Sequence, residues 1–251
     1  TLTLQARQWQ PDHLGSGACE RHISVNHMHI DELTIGLLGG TGDEGRGLAL
    51  RWAKAGARVI IGSRSIEKAQ SAADEVNRLL GGGKCVEAAE NVKSASQADF
   101  VLLSVPFEHA DAIVGAHQSY FRKGSILIDA TVPLSFEGGK VRYVESPEGS
   151  ASEHLRTILR PDIPLVTAFK TMPAHVLLDP AESLDCDDFV AGDSKDARAR
   201  VIEAMSFIEG LRGVDAGTLE SARAIERFTL LAVGINRRYK KKSARYRVVG
   251  I

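Results

Sequence analysis

Gly40, Gly42 and Gly45 stand at G-x-G-x-x-G spacing within "TIGLLGGTGDEGRGLALRWAKAGARVIIGSRS", Thr34 to Ser65, where six of the chain's 24 glycines fall between Gly36 and Gly47. That spacing suits a pyrophosphate: the first glycine permits a tight turn, the second lets the backbone come close, and the third lets a helix pack tightly on a strand. The N–H groups at the start of that helix are then free for the anion. Eighteen residues after Gly45 the chain reads Ser63-Arg64, with Lys68 four further on. An NAD-selective site would place Asp or Glu there, against the ribose 2′-hydroxyl. Arg64 can stack on adenine and pair with a phosphate, Ser63 can donate a hydrogen bond, and Lys68 adds a point charge. The set predicts NADP in preference to NAD.

The elements that must position these residues follow from the apolar pattern. "LTIGLL" is a short run of the kind buried on both faces of a parallel sheet, and "RGLALRWAKAG" carries Leu48, Leu50, Trp52 and Ala55 at helical spacing before Gly56 stops it. "RVIIG" reads as a second strand, and "SIEKAQSAADEVNRLLGGG" as a helix ended by three glycines. "DFVLLSVP" and "SILIDATVP" read as further buried strands, each closed by a proline. Such alternation implies an α/β fold, a doubly wound parallel sheet of Rossmann type. Beyond Pro161 "PLVTAFK" and "DDFVAGD" read as strands, "KDARARVIEAMSFIEGL" as a helix and "ESARAIERFTLLAVGINRRYKK" as a long terminal helix. The expected organisation is an extension over 1–32, an NADP-binding domain over 33–163 and a smaller C-terminal α/β lobe over 164–251.

Composition narrows the class. The 251 residues are 43% hydrophobic and 25% charged, near globular averages, with no apolar run approaching the roughly 18 residues of a membrane span. Cys19, Cys85 and Cys186 are far apart and odd in number, which suggests neither a disulfide framework nor a zinc site and fits a reducing cytoplasm. "CERHISVNHMH", Cys19 to His29, matches no metal-ligand spacing, so no metal is expected. The net charge of −1 makes no case for nucleic acid, yet Arg237, Arg238, Lys240, Lys241, Lys242, Arg245 and Arg247 place seven positive and no negative charges in the last fifteen residues.

No nucleophile–base arrangement and no paired carboxylates in a cleft stand out. His109, in "SVPFEHAD", lies past the carboxyl end of a strand, where ligands bind in this fold. It either orients a carboxamide or phosphate, or is a plain first-turn helix residue.

The stretch from Thr34 resembles the opening of the NADPH-dependent coenzyme F420 reductases, the F420:NADP oxidoreductases. Similar in order and spacing are "LLSVPFEHADAI", "FKTMPA" followed by "FVAGD", and "GLRGVDAGTLESARAIERFTLLAVGINRRYK". The resemblance spans nearly everything from Leu33 to Ile251 and omits the 32-residue leader. It implies hydride transfer between NADP(H) and coenzyme F420, an 8-hydroxy-5-deazaflavin. Gly40, Thr41, Gly42, Asp43, Glu44 and Gly45 would present loop atoms to the pyrophosphate; Ser63, Arg64 and Lys68 would hold the 2′-phosphate. Ser104, Val105 and Pro106 would line the nicotinamide with His109 nearby. Lys170, Thr171, Met172, Pro173 and Ala174 would border the deazaflavin cleft, with Lys170 standing where some relatives carry His or Asn. A homodimer is the family expectation.

Both reactants carry their own reactive carbons, so this chemistry needs no catalytic base for the hydride itself. The deazaflavin's phosphodiester and glutamate chain are anionic, so Arg237, Arg238 and Lys240 to Lys242 either steer it in or complement the helix macrodipole. Rival readings are an NADP-dependent reductase of a carbonyl, imine, flavin or metal chelate, and an NADP sensor without turnover.

Overall fold

The computed structural model describes residues 28–251. Most of the expected extension, including most of the cysteine–histidine stretch Cys19 to His29, lies outside the described residues. Where the description begins, the Met28 N–H donates to Glu203 Oε1 at 2.8 Å.

Ten strands and eight helices follow: β1 Thr34–Leu38, α1 Asp43–Ala55, β2 Arg58–Ser63, α2 Ile66–Leu79, β3 Val86–Glu90, α3 Asn91–Gln97, β4 Phe100–Leu103, α4 Ala110–His117, β5 Ile126–Asp129, β6 Leu134–Glu137, β7 Lys140–Tyr143, α5 Ala151–Ile158, β8 Leu165–Thr167, α6 Ala174–Leu177, β9 Cys186–Ala191, α7 Lys195–Ser206, β10 Leu211–Gly217 and α8 Ala222–Tyr239. Eight strands form one sheet in the order β10-β9-β8-β5-β4-β1-β2-β3. The strand order reverses between β1 and β4, which opens a crevice beyond their carboxyl ends.

The strands read as unbroken apolar runs because both faces are covered. Alternate side chains go to opposite layers: Ile35, Leu37, Phe100, Leu102, Ile126 and Ile128 face Leu48, Trp52, Val201 and Met205. Leu38, Val101, Leu103 and Leu127 face Ala95, Val114 and Leu155. At ~1.5–3 kcal/mol for each large side chain withdrawn from water, this two-sided burial is the main drive for the sheet. Serines cap the following helices: Ser65 Oγ accepts from the Lys68 N–H, Ser150 Oγ from the Glu153 N–H and Ser194 Oγ from the Ala197 N–H.

Three features depart from a simple doubly wound pattern. The strands on either side of residue 163 share one sheet, with β8 hydrogen-bonded to β5 in parallel. β9 meets β8 antiparallel at a single residue pair, Thr167 with Ala191, because the chain returns through the short α6 and not through a full crossover; β10 then runs parallel to β9. Finally, β6 and β7 form a separate hairpin turned by Gly138 and Gly139, both at positive φ, as a two-residue turn between twisted strands requires.

The basic tail divides into two groups. Lys240 adopts a left-handed conformation that ends α8, and the chain then returns to the sheet, where the Asp187 N–H donates to the Tyr246 carbonyl. There Arg245 pairs with Glu182, and Arg247 with Asp185 and Asp187. Lys240, Lys241 and Lys242 are exposed and form no ion pair among the described residues.

Arg51 holds the two halves of the sheet's helical cover together. Buried on α1, it donates to the carbonyls of Leu177, Val176, Asp179 and Glu182 at 2.6–3.0 Å. Losing this side chain takes a charged donor from four buried or half-buried carbonyls, of which Val176 and Asp179 each keep a backbone N–H donor. Arg51→Ala is therefore expected to lower unfolding free energy by about 3 kcal/mol or more in urea titration; a loss under about 1 kcal/mol would show that the 176–182 segment does not depend on this side chain.

Candidate active site

The glycine loop connects β1 to α1 at the crevice. Gly39, one residue before the motif, has φ +65°, and a Cβ there would lie 2.2 Å from Val105 Cγ1. Gly45 is the close-packing glycine: a Cβ would meet the Gly40 backbone and Ser104 Oγ at 2.7–2.8 Å. These contacts bring the loop after β1 and the loop after β4 together, as the two motif segments require.

Two observations test whether the loop fits a phosphate group. No side chain caps α1 at Gly42, and a Cβ on Gly42 would meet nothing within 4 Å. Beside it Ser104 is only 8% exposed, yet its hydroxyl has no hydrogen-bond partner. Buried polar groups nearly always have partners, and an uncapped helix start next to an orphaned hydroxyl is a cradle for an oxyanion.

The residues expected to hold the 2′-phosphate lie at the end of β2 and the start of α2, and those expected to line the nicotinamide lie just after β4. Ser63 ends β2 and is buried, with its hydroxyl accepting the Ser65 N–H at 3.2 Å; Arg64 and Lys68 are exposed around the start of α2. Neither cation pairs with a carboxylate among the described residues. Val105 is half-buried, Pro106 exposed, and His109 exposed on a single 3-10 turn, Phe107–His109.

Beyond β8, Thr171, Met172, Pro173 and Ala174 line a cavity of about 590 Å³, walled by Thr229, Ala232, Val233 and Asn236 of α8 and rimmed by Arg237 and Lys240 to Lys242. Its size and mostly apolar floor suit a flat aromatic ligand. Lys170 lies elsewhere. Its side chain is 0% exposed and turned beneath the cavity, where Nζ donates to Asp129 Oδ2 at 2.7 Å, pairs with Glu226 Oε1 at 3.2 Å and bonds the Thr131 carbonyl. Burial alone would lower the ammonium's pKa, but Asp129 and Glu226 outweigh it and raise it.

This buried network was not read from the sequence. Glu226 also accepts from the Tyr143 hydroxyl and from the N–H groups of Ala151 and Ser152 at the start of α5. Asp129 accepts from Thr131 and Ser152. Asp188 accepts from the Phe169 and Thr171 N–H groups and from Thr171 Oγ1, and burial pushes its carboxyl up despite those donors. Phe169 is thereby held at φ +63°, unusual for a residue with a side chain. The available signal was acids inside apolar patterns: Asp129 closing "ILID", Asp188 within "DDFVA", and Glu226 on the buried face of α8.

Glu44, partly buried on the first turn of α1, faces Asp188, Asp129 and Lys170. Burial, then the charge of Asp188, pushes its carboxyl up to about 8.

A family model described as "NADP oxidoreductase coenzyme F420-dependent" matches residues 34–133. The chain is 40% identical over 223 residues to the F420-dependent NADP reductase of Methanothermobacter thermautotrophicus, covering 87% of this chain and 96% of that protein. To the F420-dependent NADP reductase of Methanocaldococcus jannaschii it is 36% identical over 224 residues, covering 87% and 99%. A crystal structure from Arthrobacter sp. FB24, described as a candidate F420-dependent NADP reductase, superposes with TM-score 0.74 at 24% identity over 87% of this chain and 100% of that one, a likeness of fold.

Glu44 gives the fold a pH dependence of definite sign. Its folded pKa lies above the unfolded value, so as pH rises from 4.5 through about 8 the unfolded chain gives up a proton that the folded chain keeps, and stability falls. Glu44→Gln removes that linkage. Its melting temperature relative to the parent should be higher at about pH 9 than at about pH 5; an equal offset at both would show that Glu44 is ionised in the folded protein.

Proposed function

The chain belongs to the family of the F420-dependent NADP reductases, and on that premise we propose how its residues do the family's work. It is an oxidoreductase that exchanges hydride between NADP(H) and coenzyme F420. When bound, these two cofactors supply the donor and acceptor carbons; the protein supplies positions. In this reading the uncapped start of α1 and the loop atoms of Gly40, Thr41, Gly42, Asp43, Glu44 and Gly45 hold the pyrophosphate, with the Ser104 hydroxyl as a further donor. The raised pKa of Glu44 lessens the negative charge there, which favours a polyanion. Ser63, Arg64 and Lys68 hold the 2′-phosphate.

Ser104, Val105 and Pro106 form the wall for the nicotinamide, with His109 at its exposed end. Thr171 to Ala174 and the facing side of α8 form the wall for the deazaflavin, while Lys170 supports that wall from below. Each side of residue 163 thus contributes one wall. Two flat rings held about 3–3.5 Å apart with water excluded react without a protein nucleophile or base for the hydride. The observation that carries this reading is the orphaned Ser104 hydroxyl beside the uncapped α1, together with an apolar cavity of a flat ligand's size in the same chain.

We further propose a homodimer. Phe228, Leu231, Ile235 and Tyr239 are exposed at spacings of three, four and four along α8, a continuous apolar stripe on one helix face. Two copies can bury such stripes against each other. Among the described residues no helix is long and apolar enough to cross a membrane, and Cys85 and Cys186 are free thiols, consistent with the reducing cytoplasm proposed as its setting.

Purified protein mixed with NADPH and oxidised coenzyme F420 should bleach the deazaflavin absorbance, and NADH should be a poor substitute; no change with either nucleotide would sink the reading. Arg64→Ser with Lys68→Ala should raise the KM for NADPH by about tenfold or more while leaving that for NADH nearly unchanged. Light scattering after size exclusion should give twice the chain mass, and Leu231→Glu with Ile235→Glu should give monomers; a monomeric parent would refute the dimer.

A further inference from the structure

The first turn of α1 carries two acids, Asp43 and Glu44, at the place where the glycine loop would receive an anion. Acids there ordinarily favour the helix macrodipole, but a pyrophosphate competes for the same N–H groups and repels a second negative charge beside them. The structure treats the two acids differently. Asp43 is exposed, and its carboxylate pairs with Arg46, which also pairs with Glu75 of α2. Glu44 is partly buried, and among the described residues no hydrogen bond or salt bridge holds its carboxylate.

Around Glu44 negative charge is in excess. Asp188 of β9 and Asp129 of β5 face it, and Lys170, the cation facing it with them, is already engaged by Asp129 and Glu226. On its own helix Arg46 is taken by Asp43 and Glu75. The short α6, packed on α1 where Gly47 approaches Leu177, carries the exposed His175. A carboxylate at this point is therefore opposed from two sides, by Asp188 and Asp129 behind it and by an anion seated on the loop. Burial and Asp188 already raise its pKa to about 8, and a bound pyrophosphate acts in the same direction.

We propose that Glu44 makes nucleotide binding proton-linked: the dinucleotide binds together with a proton from solvent, which neutralises the Glu44 carboxylate beside the pyrophosphate, so that affinity falls on the alkaline side of neutrality. The inference rests on the NADP reading of the glycine loop and adds to it the charge state in which that loop accepts its ligand. A carboxylate and a proton become a carboxyl as the nucleotide binds, and the proton returns to solvent when it leaves. At lower pH the proton is already in place and affinity is flat; above the free carboxyl's pKa each further pH unit weakens binding by about tenfold at most. The pyrophosphate is common to NADPH and NADH, so both respond alike. An effect arising at Ser63, Arg64 and Lys68 would instead touch only the nucleotide with a 2′-phosphate.

The test is equilibrium binding of NADPH and of NADH by nicotinamide fluorescence from about pH 7 to about pH 9.5, with calorimetry of NADPH binding at about pH 8.5 in two buffers of different ionisation enthalpy. In the parent the Kd for both nucleotides should rise about tenfold across that range, and the calorimetry should report roughly half to one proton taken up per nucleotide. Glu44→Gln should bind as tightly at about pH 9.5 as at about pH 7 and take up no proton. Glu44→Leu, which also removes the ionisable group and suits a half-buried position, should behave alike, so the result does not hang on one variant folding; thermal melting without nucleotide reports that each is folded. A flat parent Kd, a rise confined to NADPH, or a rise that persists in a folded variant overturns the proton linkage while leaving the NADP reading in place. If neither nucleotide binds the parent at any pH, the NADP reading itself fails, and the linkage with it.

Discussion

Lys170 is the constraint on which the arrangement of the cavity depends. A wholly buried ammonium is tolerated only if its charge is met at close range, and here two carboxylates and a carbonyl from separate elements converge on it. Asp129 ends the fifth strand, Glu226 lies on the terminal helix and Lys170 itself follows the eighth strand, so one ion cluster ties both walls of the cavity to the sheet. Removing one member would strand the others as uncompensated charge, a change worth about 3–5 kcal/mol in comparable buried pairs. The turn carrying Thr171 to Ala174 is thus held by electrostatics from below, its Phe169 and Thr171 N–H groups tied to Asp188. The ring-orienting role proposed for this surface calls for such rigidity, because misplacement by an ångström costs about a hundredfold in rate.

The glycine-loop side is rigid for a different reason, namely close packing. Gly39 and Gly45 let backbone and side chains approach where a methyl group would collide. Arg51 then fixes the first helix to the segment beyond the cavity floor, and Trp52 extends the tie by donating to the Ala204 carbonyl and packing edge-on against Phe169. The result is one mechanical unit from the phosphate loop to the floor of the cavity, although the sequence separates them by more than a hundred residues.

How much of this is legible in the sequence depends on whether the signal is local. The β1, β2, β4 and β5 runs, the glycine loop and Ser63-Arg64 are local patterns, and each predicts its place in the fold. The β6–β7 hairpin has a local signal too, Leu134, Phe136, Val141 and Tyr143 about a Gly-Gly turn, but its strands are short and half exposed. β10, "LRGVDAG", hides as a strand because an edge position with two glycines lacks an apolar run. The direction of β9 and the partners of Lys170 are not local at all. A lysine in "FKTMPA" looks like a cleft residue until the fold brings Asp129 and Glu226 beneath it, from 41 residues before it and 56 after.

The return of the tail to the sheet changes the energetics of the bend that carries Lys240 to Lys242. That bend is held at both ends, by the last turn of the terminal helix on one side and by the Tyr246 bridge to Asp187 on the other. Its backbone entropy is therefore given up during folding, leaving only side-chain freedom. A free basic tail would sample many shapes, whereas this one is an arc set in place by the fold.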